Sequence, residues 1–383
     1  MAQPSAVPLV DVQAQYKALE AQLNDAAVRV LASGQVILGP EVAAFERELA
    51  DYCGVGHGVA CGSGTEALSL ALHALDIGPG DEVIVPTFTF FATVGCVCRT
   101  GATPVMVDSD PETYNLDPRQ VESRVTPRTR AIIPVHLFGQ CADMDPLWRL
   151  AEQRGLHLIE DAAQSLGSEY QGKRSGNLGG IGCTSFYPSK NLGGFGDSGM
   201  AFTNDEAWAR KMACLRGHGM EPRYHHQYIG WNARIDALQA ALLRVKLPHL
   251  DRYLAGRQQA ATRYDGLIDA ADLGGFLSKP VVRSYGRHTF NQYVVRVADG
   301  RRDELVQYLK GQQIGCEVYY PIPLHLQACL RHLGYRKGDF PVAEEAAGCV
   351  LALPIFPEIT EAQQARVIDA IEMFRSQAGR HAA

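Results

Sequence analysis

The segment Leu156-His157-Leu158-Ile159-Glu160-Asp161-Ala162-Ala163-Gln164-Ser165 runs an apolar stretch into two carboxylates and then into small residues. As a strand over 156–161 it places Glu160 and Asp161 on opposite faces, because successive side chains alternate. A helical stretch at Met144–Arg154 precedes it. Working outward, short apolar runs keep alternating with helix formers: strand His57–Cys61, helix Gly64–Leu75, strand Glu82–Pro86, helix Phe90–Arg99, strand Pro104–Asp108, strand Ala131–His136. Val83-Ile84-Val85 and Ile132-Ile133 are continuously apolar, as strands covered on both faces are. The rhythm predicts an α/β fold with a mostly parallel sheet through roughly residue 245.

Two helices, about Val12–Leu31 and Pro40–Tyr52, open the chain; Pro40 stands in a first turn, where its missing N–H costs nothing. After Gly180, strands at Cys183–Tyr187 and Gly199–Thr203 flank a glycine-rich loop, and a helix follows at Asp205–Leu215. A long helix is expected from Arg234–Ile235, with Leu238, Leu242 and Val245 on one face, until Pro248 interrupts it. The remainder reads as a smaller α+β unit with strand Gln292–Val297, helix Arg302–Gln312 and a last helix opened by the capping box Thr360…Gln363. The expected division is a large domain over 1–249 and a small one over 250–383.

Composition narrows the function. The 383 residues carry 36 basic and 42 acidic side chains, a net charge of −6, with no basic block. That balance argues against nucleic-acid binding through phosphate neutralisation. No apolar stretch approaches the ~20 residues of a spanning helix, and no signal peptide is visible, so a cytoplasmic protein away from membranes is expected. None of the ten cysteines forms a C-x-x-C pair and there is no H-E-x-x-H, so no metal site is expected.

Three segments carry chemistry. Cys61-Gly62-Ser63-Gly64-Thr65-Glu66 is a strand-to-helix turn whose backbone N–H groups and helix dipole suit a phosphate, although such turns are also purely structural. Asp161, at the carboxyl end of a strand where ligands bind in open α/β sheets, could hold a protonated pyridine nitrogen, or simply cap the next turn. Thr184-Ser185-Phe186-Tyr187-Pro188-Ser189-Lys190-Asn191-Leu192-Gly193-Gly194 sets one of only eight lysines in a glycine-rich stretch, with no other charge from Ser175 to Ser189. A desolvated lysine has a lowered pKa and can form a Schiff base.

At these residues the sequence resembles the fold-type I, pyridoxal-phosphate-dependent sugar aminotransferases of the DegT/StrS group. The likeness spans nearly the whole chain, from Ile37-Leu38-Gly39-Pro40 to Pro321-Ile322-Pro323-Leu324-His325. It rests on Gly-Ser-Gly-Thr-Glu-Ala-Leu, Pro-Thr-Phe-Thr-Phe-Phe-Ala-Thr, Glu-Asp-Ala-Ala-Gln-Ser, Ser-Phe-Tyr-Pro-Ser-Lys-Asn-Leu and Gly-Trp-Asn-Ala-Arg-Ile-Asp. The resemblance implies a mixed, mostly parallel seven-stranded sheet between helices, with a smaller C-terminal domain. It implies that Lys190 bonds covalently to the cofactor and shuttles a proton, that Asp161 pairs with the pyridinium nitrogen, and that Gln164 hydrogen-bonds the phenolic oxygen. Phe90 would stack on the ring, core packing being the alternative for an aromatic here, Phe88 included. Gly64, Thr65 and Ser185 would hold the phosphate. Asn232 would reach the phosphate, and Arg234 the substrate, of the neighbouring subunit, so that sites are shared in a homodimer. Tyr320 and His325 would border the sugar.

The implied reaction passes nitrogen from an amino acid, usually L-glutamate leaving as 2-oxoglutarate, to a keto sugar on a nucleotide diphosphate. The run Arg223-Tyr224-His225-His226 with Ile229-Gly230-Trp231-Asn232 looks most like members that aminate the third carbon, in pathways to surface polysaccharide or glycosylated metabolites. In some uronate-specific members a histidine stands where Tyr319 does here. Alternatives within the resemblance are a cyclitol or simple-amine substrate. Relatives that remove a hydroxyl carry histidine at the lysine position, which Lys190 argues against. A catalytically silent regulator is the reading from another class.

Overall fold

The computed structural model describes residues 6–381. Its central sheet has seven strands in the order His57–Cys61, Gly199–Thr203, Ile181–Ser185, His157–Asp161, Thr129–Ile132, Glu82–Pro86, Thr103–Val107. Gly199–Thr203 pairs antiparallel with both its neighbours, and the remaining pairings are parallel. The architecture is therefore a mixed, mostly parallel α/β sheet flanked by helices. Parallel strands require crossovers, and these stack their carboxyl ends along one edge. Cys61, Pro86, Asp161 and Ser185 all end strands there, beside Gly199, where the antiparallel strand begins.

The helix Gly64–Ala74 is largely buried, with Ala67, Leu68, Leu70, Ala71 and Leu72 in the core and Glu66, Ser69 and His73 forming a narrow polar stripe. It is enclosed by the Ile181–Ser185 and Gly199–Thr203 strands and by the helices Ala92–Thr100 and Glu206–Leu215. So wide an apolar surface is stable only inside a core. Its N-terminus is thereby fixed against the sheet edge that carries the candidate chemistry.

Boundaries differ from expectation where tertiary contacts compete with local pattern. The strand expected over Ala131–His136 is Thr129–Ile132, because Pro134 cannot donate to the ladder. The helix expected from Arg234–Ile235 starts at Ala237. Residues 234–236 are instead extended: Arg234 bridges Cys61, Asp236 bridges Ile37, and the Ala237 N–H donates to the Val36 carbonyl at 3.1 Å. Pro248 interrupts the helix as expected, but it lies in a short 3-10 turn, Leu247–His249, from which a further helix, Leu250–Ala270, departs. The C-terminal part adds a three-stranded antiparallel sheet of Leu277–Ser278, Tyr293–Val297 and Val350–Leu353. The capping box is present, with Gln363 N–H donating to Thr360 Oγ1 at 3.2 Å and Gln363 Oε1 accepting from Thr360 N–H at 2.9 Å.

Candidate active site

Glu160 and Asp161 do leave their strand on opposite sides. Glu160 is fully buried, and its carboxylate accepts from the N–H groups of Gly176 (2.8 Å), Gly179 (2.7 Å) and Leu178, and from His136 Nε2 at 3.1 Å. Ala142 N–H donates to the other ring nitrogen of His136, which fixes the proton on Nε2. Glu160 is thus consumed in holding the Gly176–Gly179 turn. Asp161 faces a cavity of about 670 Å³, a size that suits a small-molecule site, and of the two carboxylates it alone lines that space.

Around this cavity the structure gathers Gly64, Thr65, Phe90, Asp161, Gln164, Ser185, Lys190 and Tyr320. Asp161 accepts from Thr93 Oγ1 at 2.7 Å and from the Ala163 N–H at 3.2 Å. Burial raises its pKa, while these donors and the Lys190 charge pull it back. Burial pushes the Lys190 amine down to about 8, opposed only by Asp161. No hydrogen bond engages the Lys190 amine among the described residues. Gln164 is held by one end: its Oε1 accepts from the Phe138 N–H at 2.7 Å, so its Nε2 must donate, here to the Tyr320 hydroxyl at 3.0 Å. Phe88 is buried, packing edge-on against Tyr320, whereas Phe90 is 58% exposed and lines the cavity, so the two aromatics divide core and site between them.

The turn at Ser63 is built for close approach. Ser63 caps the helix by accepting from the Glu66 N–H at 3.1 Å, and the Gly64 and Thr65 N–H groups have no protein acceptor among the described residues. A Cβ on Gly199 would stand 2.4 Å from the Ser63 carbonyl carbon and 2.6 Å from the Gly64 nitrogen, so only glycine lets the strand pass beneath the turn. The donor set fits a phosphorylated pyridine aldehyde: two free N–H groups at a helix N-terminus and two hydroxyls for a phosphate, a buried carboxylate for a ring nitrogen, an amide N–H donor for a ring oxygen, and a depressed lysine for the aldehyde.

Three expected residues lie elsewhere. Asn232 is exposed and bridges Gly217; Arg234 bridges Cys61 through its backbone; neither lines this chain's own cavity. His325 is buried, its Nε2 donating to Glu344 Oε1 at 3.0 Å while the ring packs edge-on against Phe340. Thr93 and the Phe138 N–H were not singled out from sequence, since nothing local reveals a partner 68 or 26 positions away. A second cavity of 520 Å³ gathers Asp110, Asp117, Arg119 and Arg283, whose charges already pair with one another.

A family model described as the DegT/DnrJ/EryC1/StrS aminotransferase family matches residues 17–372. The chain is 47% identical to the "Pleiotropic regulatory protein" of Geobacillus stearothermophilus, over 96% of this chain and 98% of that one. It is 44% identical to the UDP-N-acetyl-3-dehydro-alpha-D-glucosamine 3-aminotransferase of Acidithiobacillus ferrooxidans, over 97% and 98%. The solved structure of S. venezuelae DesV superposes with a TM-score of 0.93 at 43% identity, covering 97% of this chain and 99% of that one.

Proposed function

The chain belongs to the DegT/DnrJ/EryC1/StrS aminotransferase family, whose cofactor is pyridoxal phosphate, and on that footing we propose that it aminates a nucleotide-linked keto sugar at the third carbon. The observation that carries the reading is the single cavity in which Lys190, Asp161, Gln164 and the free N–H groups of the Ser63 turn converge. L-Glutamate is the proposed donor. The product is an amino sugar for polysaccharide or a glycosylated metabolite, made in the cytoplasm. All ten cysteines are free, as suits a reducing compartment. No helix among the described residues is long and apolar enough to cross a membrane.

When bound, pyridoxal phosphate supplies an electron sink that stabilises negative charge at the carbon losing its proton. The chain supplies the rest. Lys190 Nζ, depressed to about 8, takes a proton and returns it near neutral pH, where a general base is best matched. Asp161, steadied by Thr93 and Ala163, holds a proton at the ring nitrogen. Gln164 Nε2 donates toward the ring oxygen, with its orientation set by Phe138. The Gly64 and Thr65 N–H groups, with the Thr65 and Ser185 hydroxyls, bind phosphate, and Phe90 covers a ring face.

We also propose a homodimer with shared sites. Among the described residues Lys190 is the only cationic side chain lining the cavity, against the carboxylates of Asp161, Asp197 and Glu317. A diphosphate or a dicarboxylic donor needs more positive charge than that. Arg223 is exposed beside Tyr224, Ile229 and Asn232 and offers that charge to a second copy, with the exposed His225 and His226 rings as hydrogen-bonding groups beside it. Asn232 and Arg234 belong to this part of the proposal, and Tyr320 to the sugar side of it, whereas His325, buried against Glu344 and outside the cavity, does not. The division at residue 249/250 is retained as well: the Leu250–Ala270 helix packs Leu250 and Leu254 with the first part and Ala260 to Ile268 with the second.

The regulator reading has the Geobacillus relative's name in its favour and the complete Lys190, Asp161 and Gln164 set against it. The test is purified protein with pyridoxal phosphate, L-glutamate and a panel of UDP- and dTDP-linked 3-keto and 4-keto sugars, with amine products read by mass. Amination of 3-keto sugars is expected. Reaction only with 4-keto sugars or with free cyclitol ketones would overturn the assignment, and failure to bind cofactor would return the regulator reading.

A further inference from the structure

A second lysine, Lys246, is 1% exposed at the end of the helix Ala237–Lys246. Among the described residues it has no carboxylate within ion-pair distance, and Glu358 and Arg257 act on it only as charges at longer range. Burying an amine without such a partner is costly, and an apolar side chain would pack there more cheaply. Its one hydrogen bond goes from Nζ to the Gly193 carbonyl, three residues beyond Lys190, while the amine also lies 5.4 Å from the Phe195 ring centroid.

The loop it touches is tightly folded. The Lys190 N–H donates to the Tyr187 carbonyl at 2.8 Å, and the Gly194 N–H to the Phe186 carbonyl at 2.7 Å. A Cβ on Gly193 would fall 2.2 Å from the Pro188 carbonyl oxygen, so the loop doubles back on itself there. Gln239, one helix face and seven residues before Lys246, accepts from the Phe195 N–H at 3.0 Å. The same helix therefore grips the far side of the loop at two places. Just before this helix, the Ala233 carbonyl accepts from the Gly62 N–H at 2.9 Å, beside the phosphate turn.

We propose that Lys246 is a positioning residue for Lys190: its bond to Gly193 fixes the loop that aims the Lys190 amine, so it governs covalent capture of the cofactor and leaves binding of the phosphate and ring to other groups. The proposal rests on the reading of Lys190 as the cofactor's lysine, and a wild-type control separates the two. Borohydride reduction of the loaded wild-type enzyme followed by peptide mass analysis should place the bond at Lys190; a bond elsewhere, or none, would sink that reading whatever Lys246 does.

The decisive comparison uses cofactor-free Lys246→Met. Pyridoxamine phosphate cannot bond to a lysine, so its affinity reports only the phosphate and ring contacts. Its dissociation constant should stay within about twofold of wild type, while the rate of bond formation with pyridoxal phosphate falls at least tenfold. Lys246→Arg, which keeps a charged donor, should recover most of that rate. Parallel loss for both cofactor forms would make Lys246 a general structural residue, and an unchanged bonding rate would remove it from the site altogether. If Lys246→Met does not fold, the milder truncation Lys246→Gln is read by the same split, with a bonding rate at least threefold slower expected and the same two outcomes overturning the proposal.

Discussion

Asp161→Asn should change Lys190 in two opposite ways. In the cofactor-free protein, burial brings the Lys190 amine from 10.5 down to about 8, and the Asp161 carboxylate is the charge that opposes the fall. A midpoint near 8 leaves about 9% of the amine neutral at pH 7, against about 0.03% for an ordinary lysine, a gain of roughly 300-fold in nucleophile. Asparagine is nearly isosteric and uncharged, so the midpoint should move lower and the neutral fraction should rise. The rise is bounded, because a pool already about 9% neutral can gain no more than about elevenfold. In the loaded enzyme the same substitution removes the group that holds the ring-nitrogen proton, and turnover should fall at least ~100-fold. The assay pulses cofactor-free protein with a small neutral aldehyde, reduces it with borohydride, and quantifies the Lys190 peptide between about pH 6 and 10. Wild type should label half-maximally near 8 and the variant at lower pH. A variant that labels more slowly at pH 7, or a wild-type midpoint near 10.5, would refute the account of how burial and Asp161 set this amine.

Lys190→Ala should abolish borohydride-trapped cofactor and lower turnover by several powers of ten, since attachment and proton transfer both go; near-normal turnover would remove Lys190 from the mechanism. Because the folded-state value of Lys190 is depressed, its contribution to stability is present above about 10.5 and lost as pH falls through about 8, so cofactor-free Lys190→Met should melt higher than wild type at pH 7 and not at pH 11. Gly199→Ala would drive a methyl into the Ser63–Gly64 backbone and should weaken pyridoxamine phosphate at least tenfold by equilibrium dialysis while the circular dichroism spectrum is kept; unchanged affinity would mean the phosphate binds elsewhere. Refolding an equal mixture of Lys190→Ala chains with Asn232→Ala/Arg234→Ala chains should restore about a quarter of wild-type activity, because about half the dimers are mixed and each has one intact site of two; no recovery despite mixed dimers would sink the shared site.

The sheet was legible because strands covered on both faces are short and mostly apolar, and the four strands His57–Cys61, Glu82–Pro86, Gly199–Thr203 and His157–Asp161 are where the pattern puts them, the last to within one residue. Errors cluster where backbone groups bond across the chain. Arg234 to Asp236 are helix-compatible by composition, yet Cys61, Ile37 and Val36 claim their backbone. Pro248 reads as a stop and is also a start, because proline suits a first turn as well as a last one. The helix Pro341–Cys349 and the strand Val350–Leu353 escaped notice: nine residues rich in alanine carry little periodicity, and the strand is recognised only by its pairing with Tyr293–Val297.

The cofactor end of the cavity is readable because a parallel sheet stacks strand ends, so most of the proposed cofactor contacts arise from the contiguous runs 61–65, 158–165 and 184–196, with Phe90 added from the segment after Glu82–Pro86. The substrate end has no such rule. It is walled by Glu317, Val318, Tyr319 and Tyr320, from a segment outside the sheet that meets it through packing and through the Gln164–Tyr320 and Leu324–Thr87 hydrogen bonds, and it is short of positive charge. His325 shows the consequence. Five residues past Tyr320, it turns away to Glu344 within a single chain, and no local pattern distinguishes that fate from a place beside the sugar. On the proposed shared site, specificity rests on a second copy's Arg223, His225 and His226, residues that are merely exposed in the chain that bears them. Sequence periodicity reports burial within one chain, and so it marks where the nitrogen is held more sharply than which sugar receives it.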